Sequence, residues 1–260
     1  MNSPQISGAT AGEAWASAVE YLLDQPSREA VNLGVKIAVP GEDPRVSALV
    51  NSMLADHHLP LIHTVANTLF PRHLAARSAG SAALTNRYRR LLPRLRRNPK
   101  NRLGTYFGRI VAFESSGRPI DQLTDLIAKL RSARSGSGGA MTSRYEVAVS
   151  EPAESVLVYD PIHDHNKRMG FPCLSLLSFH VHGERVHLAA HYRNHTFVER
   201  AYGNYVGLGA LLSYVATQSS WAPGEMLVVS GHAKIERGTR AQMQRVINEI
   251  RRGVMLPPGS

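Results

Sequence analysis

The chain has 260 residues, of which 43% are hydrophobic and 19% charged, with a net charge of +10 and a single cysteine. This length and composition predict one large domain with a buried core, and one cysteine excludes an internal disulfide, as is usual in the reducing cytoplasm. The amino terminus lacks a charged segment followed by an apolar one, and no apolar run is long enough to cross a bilayer. We therefore expect a cytoplasmic protein with no membrane partner.

The first half of the chain has helical patterns. Residues 10–24, TAGEAWASAVEYLLD, have helical apolar spacing behind a threonine that can cap a helix. Residues 44–70 predict one or two further helices with a break at Pro60. Residues 120–133 have Asp121 in the first turn of a predicted helix and Lys129 and Arg131 near its end, which suits the helix dipole.

A basic segment, Arg87–Arg102, contains eight basic residues and no acidic one, and it accounts for most of the net charge. Such a segment can meet phosphate, an anionic surface or an acidic protein. The alternative is a solvated helix face interrupted by Pro93. Zinc-finger spacings and the aromatic signature of RNA-binding sheets are both missing, so no nucleic-acid partner is expected.

The second half of the chain has the pattern of a sheet. The Gly/Ser-rich run near 131–140 predicts a flexible surface loop or lid inside a single domain spanning 1–260. Alternating apolar residues then predict five strands, and a continuous apolar run at 206–218 predicts a buried helix before a final amphipathic one. The expected fold class is α+β, with a mixed or antiparallel sheet and surrounding helices.

A predicted hairpin holds the only cysteine. Cys173 begins one strand and Arg193 ends the next, with Gly183 and Glu184 between them. A turn centred on Gly183 would place Cys173 opposite Arg193, whereas a two-residue turn would put them on opposite faces unless a bulge intervened. An arginine near the thiol would lower its pKa and favour the nucleophilic thiolate. The alternative is that Cys173 packs as a small apolar residue.

Seven of the twelve histidines lie between residues 163 and 195. The pairs His163/His165 and His180/His182 alternate on extended strands, where two ligands of a metal could share a face. No third ligand follows at a diagnostic spacing, so no metal is expected.

Several stretches resemble the thymidylate synthase family. TYFGRI and IDQLTDLIAKLR are similar to that family's tyrosine–glycine turn and the helix that follows it. The run from Cys173 to Glu236 resembles, without a gap, its nucleophile strand, arginine strand, asparagine-bearing helix and next strand. LIHTVANTLF looks like a drifted version of its glutamate-bearing helix. The resemblance implies a thymidylate synthase-like fold and a homodimer with sheets packed back to back.

The resemblance also implies residue roles. Cys173 matches the nucleophile, Arg193 the arginine that holds phosphate and supports the thiolate, and Asn204 the asparagine that reads the pyrimidine. Other positions depart from the family: Thr64 replaces its catalytic glutamate, Asn67 a tryptophan, Phe107 the turn tyrosine, Leu174 a histidine, Thr196 the folate-binding aspartate, and Lys234 and Glu236 the ribose-binding His and Tyr. Glu154 and Ser155 stand where the family has two phosphate-binding arginines. The candidate substrate-binding residues are Tyr192, Thr196, Lys234, Glu236, Thr64, Asn67 and His191.

Ordinary thymidylate synthesis is not expected, because Thr64 and Thr196 cannot ionise and general acid–base steps contribute about two to four orders of magnitude. The first hypothesis is a cofactor-free acyl transfer with a covalent cysteine intermediate. Cys173 would take an acyl group from the thioester of an acidic carrier protein docked on Arg87–Arg102. Arg193 or Asn204 would stabilise the oxyanion, and His191 or His163 would shuttle a proton.

Two other hypotheses stay open. One is one-carbon transfer, by hydroxymethylation or methylation, to C5 of a modified pyrimidine nucleotide, in which folate is possible and Cys173 adds to the ring. The other is a non-catalytic binding protein on the same fold.

Overall fold

The computed structural model describes residues 4–102, 104–115, 118–136, 146–148 and 173–254. Most of the predicted Gly/Ser loop, the strand predicted at 155–160, and the positions of His163, Glu154 and Ser155 lie outside these residues. None of the described helices combines the length and the apolarity needed to cross a membrane.

The main element is a six-stranded mixed sheet, which confirms the predicted α+β class. Its strands lie in the order β1-β2-β8-β7-β6-β5. The pairs β1–β2 and β7–β8 are parallel and the others antiparallel. The strands of the main sheet are β1 Gln5–Thr10, β2 Glu29–Val39, β5 Glu146–Ala148, β6 Leu174–His182, β7 Arg185–Thr196 and β8 Ala222–Lys234, and a separate hairpin is formed by β3 Phe113–Ser115 and β4 Arg118–Ile120.

The helices begin close to the predicted caps. Thr10 and Asp121 accept backbone N–H bonds at the starts of α1 and α7, and Pro60 lies between α2 and α3 as predicted. The helices are α1 Ala11–Asp24, α2 Pro44–Asp56, α3 Ile62–Leu69, α4 Arg72–Ala76, α5 Ser81–Arg96, α6 Tyr106–Val111, α7 Gln122–Arg134, α8 Tyr202–Gln218 and α9 Arg240–Val254, with a 3₁₀ turn Pro99–Asn101 and a π-helical turn Phe197–Ala201.

The core lies between the sheet and α8, which is buried along most of its length, as predicted. Two glycines of α8 bring α3 unusually close. A Cβ atom at Gly203 would come within 2.8 Å of the Val65 Cβ, and one at Gly207 within 2.9 Å of the Ala66 carbonyl oxygen. This contact fixes the position of α3 relative to the rest of the core.

The hairpin of β6 and β7 combines the two predicted registers. A two-residue turn at Gly183 and Glu184 pairs His182 with Arg185, and Gly183 has a φ of 56°. A bulge at Ser175 then shifts the register, so that Leu174 pairs with Tyr192. The backbone N–H of Arg193 donates to the carbonyl oxygen of Cys173 at 2.8 Å. The bulge therefore brings Cys173 and Arg193 directly across from each other.

The basic segment is mostly helical. Helix α5 continues through Pro93 to Arg96, so the proline does not end it. Arg87, Arg90, Arg94 and Arg97 are exposed and recur at helical spacing, which aligns them on one side of α5 and its carboxyl end. At 1.5 Å per residue this stripe is about 15 Å long. The 3₁₀ turn Pro99–Asn101 follows it.

Candidate functional site

A cavity of about 430 Å³ opens at the end of β7, between α3, α6 and α8. This volume lies within the range of about 300–1,000 Å³ that is typical of small-molecule sites. Its lining is rich in amide, hydroxyl and guanidinium groups. The lining residues are Pro60, Thr64, Val65, Thr68, Asn98, Asn101, Gly104, Thr105, Tyr106, Arg109, Cys173, Tyr192, Asn194, His195, Thr196, Arg200 and Asn204.

The thiol of Cys173 is free, exposed and part of the cavity wall, so the structure does not pack it as an apolar residue. Desolvation by the surrounding protein raises its pKa above the ordinary value, although the charges of Arg193 and Arg200 lower it in part. The predicted effect of Arg193 is therefore present but smaller than desolvation. Desolvation therefore outweighs the pKa-lowering effect of Arg193 that the sequence predicts, and the net pKa of the thiol lies above its ordinary value.

Arg193 itself is exposed and is not part of the cavity wall. Two arginines that the sequence analysis did not select line the cavity instead. Arg200 lies in the π-helical turn, where its guanidinium pairs with Glu199 at 2.6 Å, and Arg109 comes from α6. The position of Arg200, four residues before Asn204, is the one sequence signal for it, because residues at this spacing share a helix face.

Asn204 belongs to a buried chain of three polar side chains. Its Nδ2 donates to His195 Nε2 at 3.0 Å, and His195 Nδ1 lies 3.0 Å from Ser230 Oγ. Burial lowers the pKa of His195 to about 3, so the ring is neutral. With Nε2 as acceptor, Nδ1 carries the proton and donates to Ser230. The neutral ring therefore holds the Asn204 amide in one orientation at the cavity wall.

Two tyrosines lie beside the thiol. Burial, and next the neighbouring Cys173, raise the pKa of Tyr106 to about 12, while the backbone of Leu174 and the charge of Arg200 oppose this shift. Tyr192 stacks on His195 with ring centroids 4.2 Å apart, and its fully buried hydroxyl has no hydrogen-bond partner among the described residues. Phe107, expected in the tyrosine position, is fully buried against Phe70 instead. Tyr106 thus supplies the hydroxyl that sequence reasoning missed.

The other predicted site residues divide into two groups. Thr64 and Thr196 line the cavity. Asn67 lines a separate groove of about 250 Å³ with His63 and Arg72. His191 is exposed outside the cavity, where its Nδ1 lies 3.4 Å from Ser175 Oγ.

Lys234 and Glu236 also lie outside the cavity wall. Lys234 is half-buried at the end of β8 and pairs with Thr196 in the sheet. The carboxylate of Glu236 accepts backbone N–H bonds from Glu199 at 2.6 Å and Val198 at 3.3 Å. Burial raises the pKa of Glu236, and these hydrogen bonds oppose the increase. The structure therefore gives Glu236 a position beneath the π-helical turn that carries Arg200.

The described lining of the cavity includes two guanidinium groups and no carboxylate, and Glu199, next to the wall, pairs with Arg200 at 2.6 Å. Such a site favours anionic ligands. Within the described residues, no cluster of three His, Cys, Asp or Glu side chains could hold a metal ion.

Comparison with known proteins gives two partial matches. The chain is 30% identical over 79 residues to a protein of Methanococcoides burtonii, covering 30% of this chain and 36% of that protein. It is 30% identical over 116 residues to a protein of Methanosarcina mazei, covering 45% of this chain and 46% of the relative. Both relatives are named "Putative thymidylate synthase". The chain is thus related in part to thymidylate synthase-like proteins.

These matches cover only part of this chain and part of each relative. The chain spans less than half the length of each of the two relatives. No family model matches the chain. The similarity supports a thymidylate synthase-like transferase, and any finer activity is a proposal.

Proposed function

We propose that the protein is a transferase that activates a pyrimidine nucleotide by forming a covalent bond between Cys173 Sγ and the ring. One observation carries this proposal: the thiol opens into a nucleotide-sized cavity together with a fixed amide, Asn204, and two guanidinium groups. The names of the two relatives add the pyrimidine ring as the substrate class. This assignment replaces acyl transfer as the first hypothesis, because the names of the two relatives favour a pyrimidine substrate over an acyl donor.

In the covalent step the Cys173 thiol first gives its proton to solvent, and the electron pair of the resulting thiolate then adds to C6 of the ring and forms the S–C6 bond. The ring electrons move towards C5 and O4, giving an enolate whose C5 attacks an electrophilic one-carbon donor or takes a proton. The C5 proton then passes to solvent, and the S–C6 bond breaks as the thiolate departs, which restores the C5–C6 double bond. The Asn204 amide offers a donor or an acceptor to the ring edge, because His195 fixes its orientation.

The described residues do not fit a folate in the manner that the resemblance implies. Thr196 lines the cavity at the position of the folate-binding aspartate, and its hydroxyl cannot carry the charge that this contact uses. Thr64 likewise has no carboxylate with which to relay protons. We therefore derive no step through folate, and the proposal is limited to C5 activation of the ring.

A proton-exchange experiment tests this activity without a one-carbon donor. Uridine and cytidine nucleotides are incubated with the protein in D₂O, and the loss of the C5 proton is followed by NMR. The wild-type protein is expected to exchange this proton, and Cys173→Ser is expected to abolish the exchange. Ser175→Ala, in the neighbouring bulge, is the matched control and keeps it. Exchange at an undiminished rate in Cys173→Ser, or no exchange with any pyrimidine nucleotide, contradicts the proposal.

Acyl transfer from a carrier protein is the second candidate, and one specific observation favours it. The basic stripe of Arg87, Arg90, Arg94 and Arg97 is exposed and leads directly to Asn98 and Asn101, which line the cavity. An acidic carrier docked on the stripe would thus have its thioester arm beside Cys173. A general base for this reaction is not evident among the described residues, since both ring nitrogens of His195 are occupied and His191 lies outside the cavity.

Intact-mass measurement separates the second candidate from the first. A thioester-loaded acidic carrier is expected to leave an acyl group on Cys173, none on Cys173→Ser, and much less on Arg94→Glu. Lys129→Glu, an exposed charge reversal on α7, is the matched control for general electrostatic effects. Equal acylation of the wild-type protein and Arg94→Glu would reject docking on the stripe.

A homodimer remains part of the proposal. The sheet face away from α8 has half-buried Ala189, Leu227 and Val229 and an exposed Leu176 on adjacent strands. Such a face could pack against a second copy, as the resemblance implies. Light scattering should give twice the chain mass, and Val229→Glu should give a monomer. A monomeric wild-type protein would refute this part.

A further inference from the structure

The cavity has its positive charge on one pair of side chains, Arg200 and Arg109. Arg200 is half-buried in the π-helical turn, and its charge lowers the pKa values of both Cys173 and Tyr106. Its guanidinium therefore lies close to the thiol and to the phenol hydroxyl. Arg109 also lines the cavity and is half-buried in the short helix α6, which also carries Tyr106.

The backbone around each arginine is fixed. The Glu236 carboxylate binds the N–H groups of Val198 and Glu199 and so holds the turn of Arg200. Helix α6 starts at Thr105, whose hydroxyl accepts the N–H of Gly108, and Gln122 donates to the Arg109 carbonyl oxygen at 3.2 Å. A preorganised pair of cations binds an anion at a smaller cost in conformational entropy than mobile side chains do.

The neighbourhood leaves room for an anion. Glu199 pairs with Arg200 at 2.6 Å and takes part of its hydrogen-bonding capacity. A guanidinium has five N–H donors, so one carboxylate does not use all of them. Asn98 and Asn101 add neutral amide groups to the same wall, and the remaining described wall residues bring no negative charge.

We propose that Arg200 and Arg109 form a subsite for an anionic oxygen group of the substrate, a phosphate or a carboxylate. Arg193 is exposed outside the cavity wall, and its charge adds to the field at the thiol from there. The inference deepens the proposed function by naming the residues that bind the substrate's acidic group. It requires only that the ligand of this cavity is an anion.

The rate of alkylation of the Cys173 thiol measures directly the electrostatic effect of the two arginines on the cavity. Cys173 is the chain's only cysteine, so every alkylation reports on this site. Iodoacetate is anionic and iodoacetamide is its neutral analogue. Both react by the same displacement, in which the S–C bond forms, the C–I bond breaks and iodide leaves. The thiolate fraction cancels in the ratio of the two rates, so the ratio isolates the preference for negative charge.

The expected result is a rate ratio of iodoacetate to iodoacetamide that is higher in the folded protein than in the same protein unfolded in urea. Arg200→Gln and Arg109→Gln should each lower the ratio about threefold to tenfold, from a unit charge at about 6 Å in a partly solvated site. Arg200→Lys should restore part of it. Arg185→Gln, at the opposite end of β7, is the matched control and should leave the ratio unchanged. An unchanged ratio in both cavity variants, or an equal fall in Arg185→Gln, would overturn the proposal.

Protection assays identify the chemical class of the anion. Inorganic phosphate and acetate are each tested as inhibitors of alkylation by iodoacetamide in the wild-type protein and in Arg200→Gln. Protection by phosphate alone assigns a phosphate subsite, and equal protection by acetate assigns a carboxylate subsite. Protection by neither ion contradicts the inference. These assays use no nucleotide, so a high rate ratio without C5 exchange would reject the proposed function and keep the subsite.

Discussion

The buried ring of His195 makes the stability of the protein depend on pH in a defined direction. Its pKa is about 3 in the folded protein, compared with about 6.5 for an ordinary histidine. Between these values the unfolded chain binds a proton that the folded protein does not. The folded state therefore loses stability as the pH falls from 6.5 towards 3, and above 6.5 this residue makes no pH-dependent contribution.

The size of this effect follows from the pKa difference. One pKa unit corresponds to about 1.4 kcal/mol, so the full loss is about 5 kcal/mol. At pH 5 the expected loss is about 2 kcal/mol, which is a large share of the roughly 5–15 kcal/mol that stabilises a typical domain. The loss would be accompanied by release of the Asn204 amide, because a protonated ring cannot accept its hydrogen bond.

The assay compares wild-type protein with His195→Gln by urea unfolding at pH 7.5, 6 and 5. Glutamine does not ionise, so the difference in unfolding free energy between the two proteins isolates His195, while carboxylates such as Glu236 cancel. The difference in unfolding free energy by which the wild-type protein exceeds His195→Gln at pH 7.5 should be about 2 kcal/mol smaller at pH 5. A wild-type advantage that stays constant from pH 7.5 to 5 would refute a neutral buried ring.

Three further predictions follow from the same geometry. The pKa of Cys173 is raised by desolvation and lowered by Arg200, so the rate at which iodoacetamide alkylates the thiol should keep rising with pH beyond the range of an ordinary thiol. Arg200→Gln should slow this alkylation at pH 8. A midpoint of the wild-type pH–rate curve below about 8.5 would contradict the prediction. Gly207→Ala should lower the free energy of unfolding in urea by about 1–3 kcal/mol, because the new Cβ atom would meet the backbone of α3. Gly253→Ala, whose Cβ atom would meet no atom within 4 Å, should not lower it. Equal effects of the two substitutions would show that α3 is free to move. Tyr192→Phe removes a buried hydroxyl that has no partner within the described part of the chain, so the free energy of unfolding should stay level or rise by about 1 kcal/mol. A clear fall in that free energy would show that the hydroxyl does make a hydrogen bond.

The sequence predicted elements that depend on local signals and missed those that depend on long-range pairing. Thr10, Pro60 and Asp121 act through neighbouring backbone, so the starts of their helices were predictable. Strands β1 and β2 were not predicted, although both belong to the main sheet. The register of the hairpin was open because it depends on a bulge at Ser175, and no local residue pattern forces a bulge there.

The candidate site was predictable in part for the same reason. The resemblance pointed to Cys173 and Asn204, and both line the cavity. It could not point to Arg109 and Arg200, because their proximity depends on how α6 and the π-helical turn pack around the end of β7. Nor could it predict the net pKa of Cys173, since desolvation depends on all atoms around the thiol.

The carboxylate of Glu236, just beyond the end of β8, lies outside the cavity wall but binds the backbone of the π-helical turn that carries Arg200. Replacing it with alanine would leave two backbone amides without their acceptor and loosen the segment that supports Arg200. Such a variant would bind the substrate less tightly. This loss of affinity would look the same as the loss of a direct contact between residue 236 and the ribose. Restored binding in a second-site variant that rebuilds the turn would identify Glu236 as a scaffold for the neighbouring arginine.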